Sequence, residues 1–376
     1  MYNESIRYAE GCFIYDEYNN KYADFDSGVW TLSLGHNNRR INMRIMDQLY
    51  DIMHTGYGYT HHVVEDAAGK VLKLADFKDG KCLFLTSGSE AVEFSIKLAK
   101  KIMSKPMFFS LENHYLSAYG DSGNYINSND WITLDWQGNI NDCDSVLEGI
   151  PFDKIGAFVF EPGNASGLVK LPPNDLIGKI ALKVKENDGL IIVDEVTTGI
   201  GRTGKWFGFE NYDIKPDIVA CGKGIGNGYP VSVAVLNEGV CDLIEESDFT
   251  YGQSHMNDPL GCAVICEVID VIKKENLLNN SLINGMYLKE GLISLSKKYS
   301  SIKEVRGIGL MCAMEFHDEM EDEKLLKLHE YLYHKGFIVG LKLKFKTIRF
   351  YPPLIVEKYL IERLLSSLNE VLKIYR

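Results

Sequence analysis

Leu190–Val235 reads LIIVDEVTTGIGRTGKWFGFENYDIKPDIVACGKGIGNGYPVSVAV. Leu190–Val193 is a short, apolar, β-branched run, which reads as a buried parallel strand. Two acids, Asp194 and Glu195, end it. Val219–Cys221 is a second short strand candidate and runs into Gly222-Lys223-Gly224. An acid and a lysine thus each stand where a strand stops and a loop begins. In open α/β sheets, ligands bind at those carboxyl ends.

A lysine set between glycines near an acid points to a carbonyl cofactor. Its amine can form a Schiff base with pyridoxal phosphate (PLP). A carboxylate beside the pyridine nitrogen keeps that nitrogen protonated, because a nearby opposite charge favours the charged form. The protonated ring then stabilises the carbanion formed when a bond at the substrate α-carbon breaks. The glycines let a flat ring approach the backbone. Taken alone, the two residues also fit a plainer reading, an Asp capping a turn and a solvated loop lysine.

The full pattern is more specific. It has Asp194-Glu195-Val196 at the strand end, then Thr198-Gly199-Ile200-Gly201-Arg202-Thr203-Gly204, Pro216-Asp217-Ile218, Gly222-Lys223-Gly224 and Gly228-Tyr229-Pro230. This resembles the signature of class III (ω-type) aminotransferases, which are fold-type-I PLP enzymes. The resemblance implies Asp194 at the pyridine nitrogen, Val196 against the ring and Lys223 as the Schiff-base lysine. Thr197 stands where many members carry Gln, near the cofactor's phenolic oxygen. Asn227 and Ser232 replace glycines.

The chain has 376 residues, enough for a large core and two domains. A net charge of −12 argues against nucleic acid and against an anionic membrane surface. The polar, acidic start lacks the features of a signal peptide, and no apolar run approaches a membrane span. Eight cysteines are scattered without a CxxC, which suits reduced thiols in a cytoplasm. The histidines show no metal-ligand spacing, so no metal is expected.

Upstream, residues 11–35 alternate apolar and polar residues around an Asn-Asn turn and read as a β-hairpin. Val29 and Trp30 fall where family members line the substrate pocket; Trp30 fits core packing equally. Tyr57 and Tyr59 lie in an aromatic loop; they could face the substrate but read chiefly as core cover. Cys82–Thr86 reads as a strand, and Ser87-Gly88-Ser89-Glu90-Ala91 opens a helix. A helix N-terminus after a small-residue turn attracts anions. Ser89 also suits an N-cap, with Glu93 beyond. SGSEA resembles the family's phosphate cup, which assigns Gly88 and Ser89 to the PLP phosphate. After a strand at Met107–Leu111 the family has an aromatic that stacks on the pyridine ring. Here the order is changed, and His114 or Tyr115 is the candidate, Tyr115 having the larger face.

Ile155–Phe160 reads as a strand ending at Glu161-Pro162, and the family places this acid near the cofactor. The next loop, residues 163–167, lacks a glutamate that pairs with a substrate-binding arginine in ornithine- and aminobutyrate-type enzymes. That argues against those specificities. Thr250–Leu260 resembles the family's His-Gly-x-Thr-Phe-x-x-Asn-Pro-Leu loop. Ser254 takes the Thr position, whose hydroxyl reaches the PLP phosphate of the neighbouring subunit. Tyr251, His255 and Asp258 depart from the pattern. Residues 347–354, TIRFYPPL, match a C-terminal motif in which the arginine, here Arg349, forks onto a substrate carboxylate.

The resemblance implies an α/β fold with a large, mostly parallel sheet domain and a smaller α+β domain built from both chain ends. The expected division is 1–45 joining the small domain, 46–257 binding PLP and 258–376 completing the small domain. The expected reaction is ping-pong amino transfer between an amine or amino acid and a keto acid or aldehyde, in a cytoplasmic homodimer with shared sites. A PLP-dependent racemase, epimerase or aminomutase shares the motifs. A PLP-fold binding module without catalysis is opposed by the presence of both Asp194 and Lys223.

Overall fold

A computed structural model describes residues 5–56, 58–136, 142–163 and 167–374. Its centre is a seven-stranded sheet. In spatial order the strands are Lys81–Leu85, Ser232–Leu236, Ile218–Cys221, Leu190–Asp194, Ile155–Phe160, Met107–Leu111 and Trp131–Leu134. Only Ser232–Leu236 runs against its neighbours; the other pairings are parallel. The middle strands are buried end to end, as sheets covered on both faces require.

The two faces have separate cores, and alternation along each strand feeds both. Ile191, Val193, Val219, Cys221, Val233 and Val235 pack on one face with the helix Pro259–Lys274. Leu190, Ile192, Ile218, Ala220, Ala234 and Leu236 pack on the other with the helix Gly88–Ile102. Two smaller sheets flank this body. One joins Ile6–Glu10, Phe13–Asp16 and Lys21–Asp24 to Phe337–Ile338, so the two ends of the chain meet there. The other is antiparallel throughout and contains Thr347–Phe350.

Several expectations need correction. The hairpin is confined to Phe13–Asp16 and Lys21–Asp24, turning at Asn19, whose φ is +65°. Beyond it the chain makes a short irregular turn over Ser27–Trp30 instead of a strand, with Gly28, Val29 and Trp30 all at positive φ. Ser87, not Ser89, caps the helix Gly88–Ile102, and Glu90 closes the capping box. Glu93 instead accepts from the Asp121 and Ser122 N–H groups. Tyr59 is 81% exposed and covers no core in this chain. Tyr57 lies outside the described residues.

Glu195 shows how the central loop is held. Its buried carboxylate accepts from the Gly208 and Phe209 N–H groups and from the Thr198 hydroxyl, each at 2.7 Å. Burial pushes this carboxyl up to about 8, while the three donors favour the ionised form. Glu195→Ala would leave three buried donors unanswered. It is expected to cost about 3 kcal/mol or more, read as a lower urea midpoint.

Candidate active site

The sheet's polarity assembles the site. With six strands pointing one way, their carboxyl ends share one rim. Gly88 and Ser89 follow Lys81–Leu85, His114 and Tyr115 follow Met107–Leu111, and Glu161 follows Ile155–Phe160. Asp194 ends its own strand, and Lys223 follows Ile218–Cys221. Those two strands are adjacent and parallel, with Asp194 opposite Ala220.

Lys223 sits at a φ of +44°, a conformation disfavoured for a residue with a Cβ. Its Nζ donates to the Thr197 hydroxyl at 2.8 Å and lies 5.0 Å from the centre of the Trp30 ring. Burial lowers the pKa of this amine, and the charges of Asp194 and Glu161 oppose that shift. Burial raises the Asp194 carboxyl, while the Val196 N–H, at 2.9 Å, and the Lys223 charge pull it down. The amine and the carboxylate therefore form an electrostatically linked pair shielded from water.

Val196, Gly88 and Gly222 close one side. A Cβ on Gly88 would meet Val196 Cγ1 at 2.5 Å, and one on Gly222 would meet Gly88 Cα at 3.0 Å. These loops touch backbone to backbone because both positions are glycine. Ser89, in the first helical turn, accepts from the Ala118 N–H at 3.0 Å. Ser232 Oγ donates to the Ser87 carbonyl at 2.7 Å. Asn227, with φ +43°, accepts from the Leu34 N–H at 2.7 Å and donates to the Gly35 carbonyl. The two residues found in place of glycines thus add hydrogen bonds to the rim.

Trp30 forms the opposite wall. It is buried, stacks on Tyr351 at 4.9 Å, and has the Arg349 guanidinium 4.7 Å from its ring. The indole thus has Lys223 and Arg349 both within cation–π range. Arg349 is buried, yet its Nε and Nη1 have no partner among the described residues. Gly167 and Gly340 make room for it, since a Cβ on either would lie within 2.8 Å of the guanidinium. A buried, unanswered guanidinium is costly unless a ligand completes it.

Sequence reasoning missed Asp26. Its carboxylate accepts from Trp30 Nε1 at 3.1 Å, and burial pushes it up to about 6 against the pull of Arg349. The four-residue spacing to Trp30 was the available signal, but it lies in an irregular turn.

The remaining candidates stand as follows. Glu161 is buried and accepts from the Tyr115 N–H at 3.1 Å. His114 is buried beside Phe160, its Nε2 is unpartnered among the described residues, and burial lowers it to about 3. The Tyr115 side chain is half exposed. Ser254 is exposed, on a turn tied by Asn257 to Phe84 of the Lys81–Leu85 strand. In the loop after Glu161, residues 164–166 lie outside the described residues.

A flat, anionic, nitrogen-containing ring fits what this rim offers. It presents a buried carboxylate, a buried amine, a helix N-terminus, an unpartnered imidazole nitrogen on His114 and unsatisfied donors on Arg349.

The chain matches the family model described as aminotransferase class-III over residues 2–116 and 125–372. It is 32% identical over 375 residues to the acetylornithine aminotransferase of Aquifex aeolicus (strain VF5), covering 96% of this chain and 95% of that protein. Among solved structures, acetylornithine aminotransferase from Elizabethkingia anophelis superposes with a TM-score of 0.86 at 26% identity, covering 98% of this chain and 94% of that one. An amine transaminase from an uncultivated Pseudomonas species, solved in a PLP-bound form, superposes with a TM-score of 0.89 over 99% of this chain and 95% of that one. At 23% identity, that likeness speaks to the fold alone.

Proposed function

Because the chain belongs to the class III aminotransferase family and is a PLP-dependent aminotransferase, we propose that Lys223 and Asp194 are its catalytic pair. Bound PLP supplies an aldehyde that condenses with amines and a protonated ring that draws off negative charge from the substrate α-carbon. Lys223 is the amine that anchors the cofactor and then carries a proton to and from the substrate. Burial lowers its pKa, the direction a general base needs. Asp194 holds the ring nitrogen protonated through its buried negative charge. Thr197 steadies Lys223 Nζ, Val196 lies against the ring, and Tyr115 is the side chain free to stack on it. Gly88 and Ser89 receive the phosphate at the helix N-terminus.

The observation that carries this reading is the buried amine and carboxylate at the ends of adjacent parallel strands. Relatives named as aminotransferases support amino transfer over isomerisation. The substrates are an amine or amino acid and a keto acid or aldehyde, taken in turn. An amino-donor screen followed by initial-rate kinetics tests this: parallel lines in double-reciprocal plots are expected, and intersecting lines would contradict an alternating mechanism.

Arg349 and Trp30 bind the substrate, the guanidinium taking a carboxylate. Arg349→Lys keeps the charge but loses the planar fork. It is expected to raise KM for a carboxylate substrate about 10- to 100-fold, with a smaller effect on an amine lacking the carboxylate. An equal change for both substrates would remove Arg349 from this role.

Residues 46–257 form the cofactor-binding unit, and 1–45 and 258–376 form the smaller one; the pairing of Lys21–Asp24 with Phe337–Ile338 supports joining the ends. The enzyme works as a homodimer in which Ser254 reaches the neighbouring subunit's phosphate. An apolar face supports this: Met43, Met46, Leu49 and Tyr50 of the helix Arg39–Asp51 are exposed, as is Met53 just beyond it. Light scattering on the purified protein should return twice the chain mass. Among the described residues no helix is long and apolar enough to cross a membrane. Eight free cysteines accord with a cytoplasmic setting.

A further inference from the structure

His54, His255 and Asp258 come together away from the catalytic pair. His54 stands just past the helix Arg39–Asp51; Asp258 lies 204 positions later, immediately before the helix Pro259–Lys274. The Asp258 carboxylate lies between the two imidazoles. Oδ1 faces His54 Nδ1, and Oδ2 faces His255 Nδ1 at 2.6 Å. The imidazole rings are 4.9 Å apart. The ligand atoms of all three residues lie within 4.8 Å of one another.

We propose that His54, His255 and Asp258 bind a divalent transition-metal ion of the zinc class, with water completing its coordination.

Two imidazoles and one carboxylate are a donor set that suits such an ion. Zinc sits about 2.0–2.2 Å from nitrogen and carboxylate oxygen, so its donors stand roughly 3–4 Å apart. With all three ligand atoms within 4.8 Å of one another, the side chains need shift only by about an ångström to take that spacing. Asp258 makes no other use of its carboxylate in capping: it stands at the N-cap of the helix but its side chain accepts no helix N–H. Among the described residues, its ion pairs are with these two histidines alone. In the single chain His54 and His255 are exposed, which leaves coordination positions open beside them.

The sequence adds an independent observation. In the family loop the positions of His255 and Asp258 carry Phe and Asn, neither a usual metal ligand. This chain changes both, and the fold sets both changed residues against one further histidine. Spacing along the chain could not reveal the set, because His54 is remote in sequence. An ion there would brace the turn bearing Ser254 against the segment after Arg39–Asp51. The inference does not depend on the roles given to Lys223 and Asp194.

The test uses the full-length, untagged holoenzyme after chelator treatment and dialysis. Zn2+ is titrated by calorimetry, and Co2+ is followed by its visible absorption. One ion per chain is expected, with His54→Ala and His255→Ala each weakening binding at least about tenfold. Asp258→Asn keeps the side-chain shape and should also weaken it, with thermal unfolding confirming that each variant is folded. His61 and His62, whose rings lie 4.2 Å apart, are the rival site. His61→Ala should therefore leave binding unchanged. No stoichiometric binding, loss confined to His61→Ala, or undiminished affinity in a folded His54→Ala/His255→Ala double variant would overturn the proposal.

Discussion

Lys223→Ala is expected to lower turnover by at least about 10⁴-fold while leaving the fold intact. Proton transfer by a positioned side chain alone accounts for about 10²–10⁴, and this residue also anchors the cofactor covalently. Among the described residues, Lys223 is the one lysine that meets both the Trp30 ring and the Thr197 hydroxyl. The shorter side chain leaves Gly88, Val196 and Gly222 in place, so the variant should still bind PLP through its phosphate. Borohydride should fix the cofactor to the parent chain and fail to fix it to the variant. A variant that turns over near the parent rate would remove Lys223 from the chemistry altogether.

Asp194→Asn is expected to reduce kcat by about 10²–10³, or about 2.7–4 kcal/mol of barrier. The change is nearly isosteric. The amide oxygen can still accept the Val196 N–H now taken by the carboxylate, so the loop after Leu190–Asp194 should hold its course. What disappears is the buried negative charge. Its loss has a second, separable signature. The Asp194 charge holds the Lys223 pKa up against burial, so removing it should let that pKa fall further. The amine then stays unprotonated to lower pH, and the acidic limb of the pH–rate profile should move towards acid. An unchanged acidic limb together with an unchanged kcat would show that the two groups do not act together.

Much of this site could be read from residue order because it lies on short, strongly patterned segments. Leu190–Asp194 and Ile218–Cys221 are buried, largely apolar runs; Asp194 closes the first and Lys223 stands two residues past the second. The helix start at Gly88 carries its own signal in the Ser87–Glu90 capping box. Where the reading slipped by two residues, at Ser89, the competing serines were chemically equivalent and only backbone geometry separates them. The strands Trp131–Leu134 and Ser232–Leu236 announced themselves less clearly. Each is four or five residues long, and the second is defined mainly by reversing direction between two neighbours. Residues 25–35 defeated the alternation rule because the positive φ angles at Ser27, Val29 and Trp30 break the strand geometry. The same irregular turn brings the Asp26 carboxylate to the Trp30 indole N–H, a contact at which only the four-residue spacing hints. The His54 cluster was invisible for a different reason: it joins segments that only tertiary folding makes neighbours.

The shared direction of six of the seven strands gives the molecule a working end and an idle end. Asp194, Lys223 and the capped helix all crowd the first. The turns entering Ile155–Phe160 and Leu190–Asp194 lie at the second, and Glu148 is exposed there. A cysteine handle at Glu148 would let the enzyme be immobilised on a support with its mouth facing the liquid. Attachment through the rim that carries the chemistry would block it.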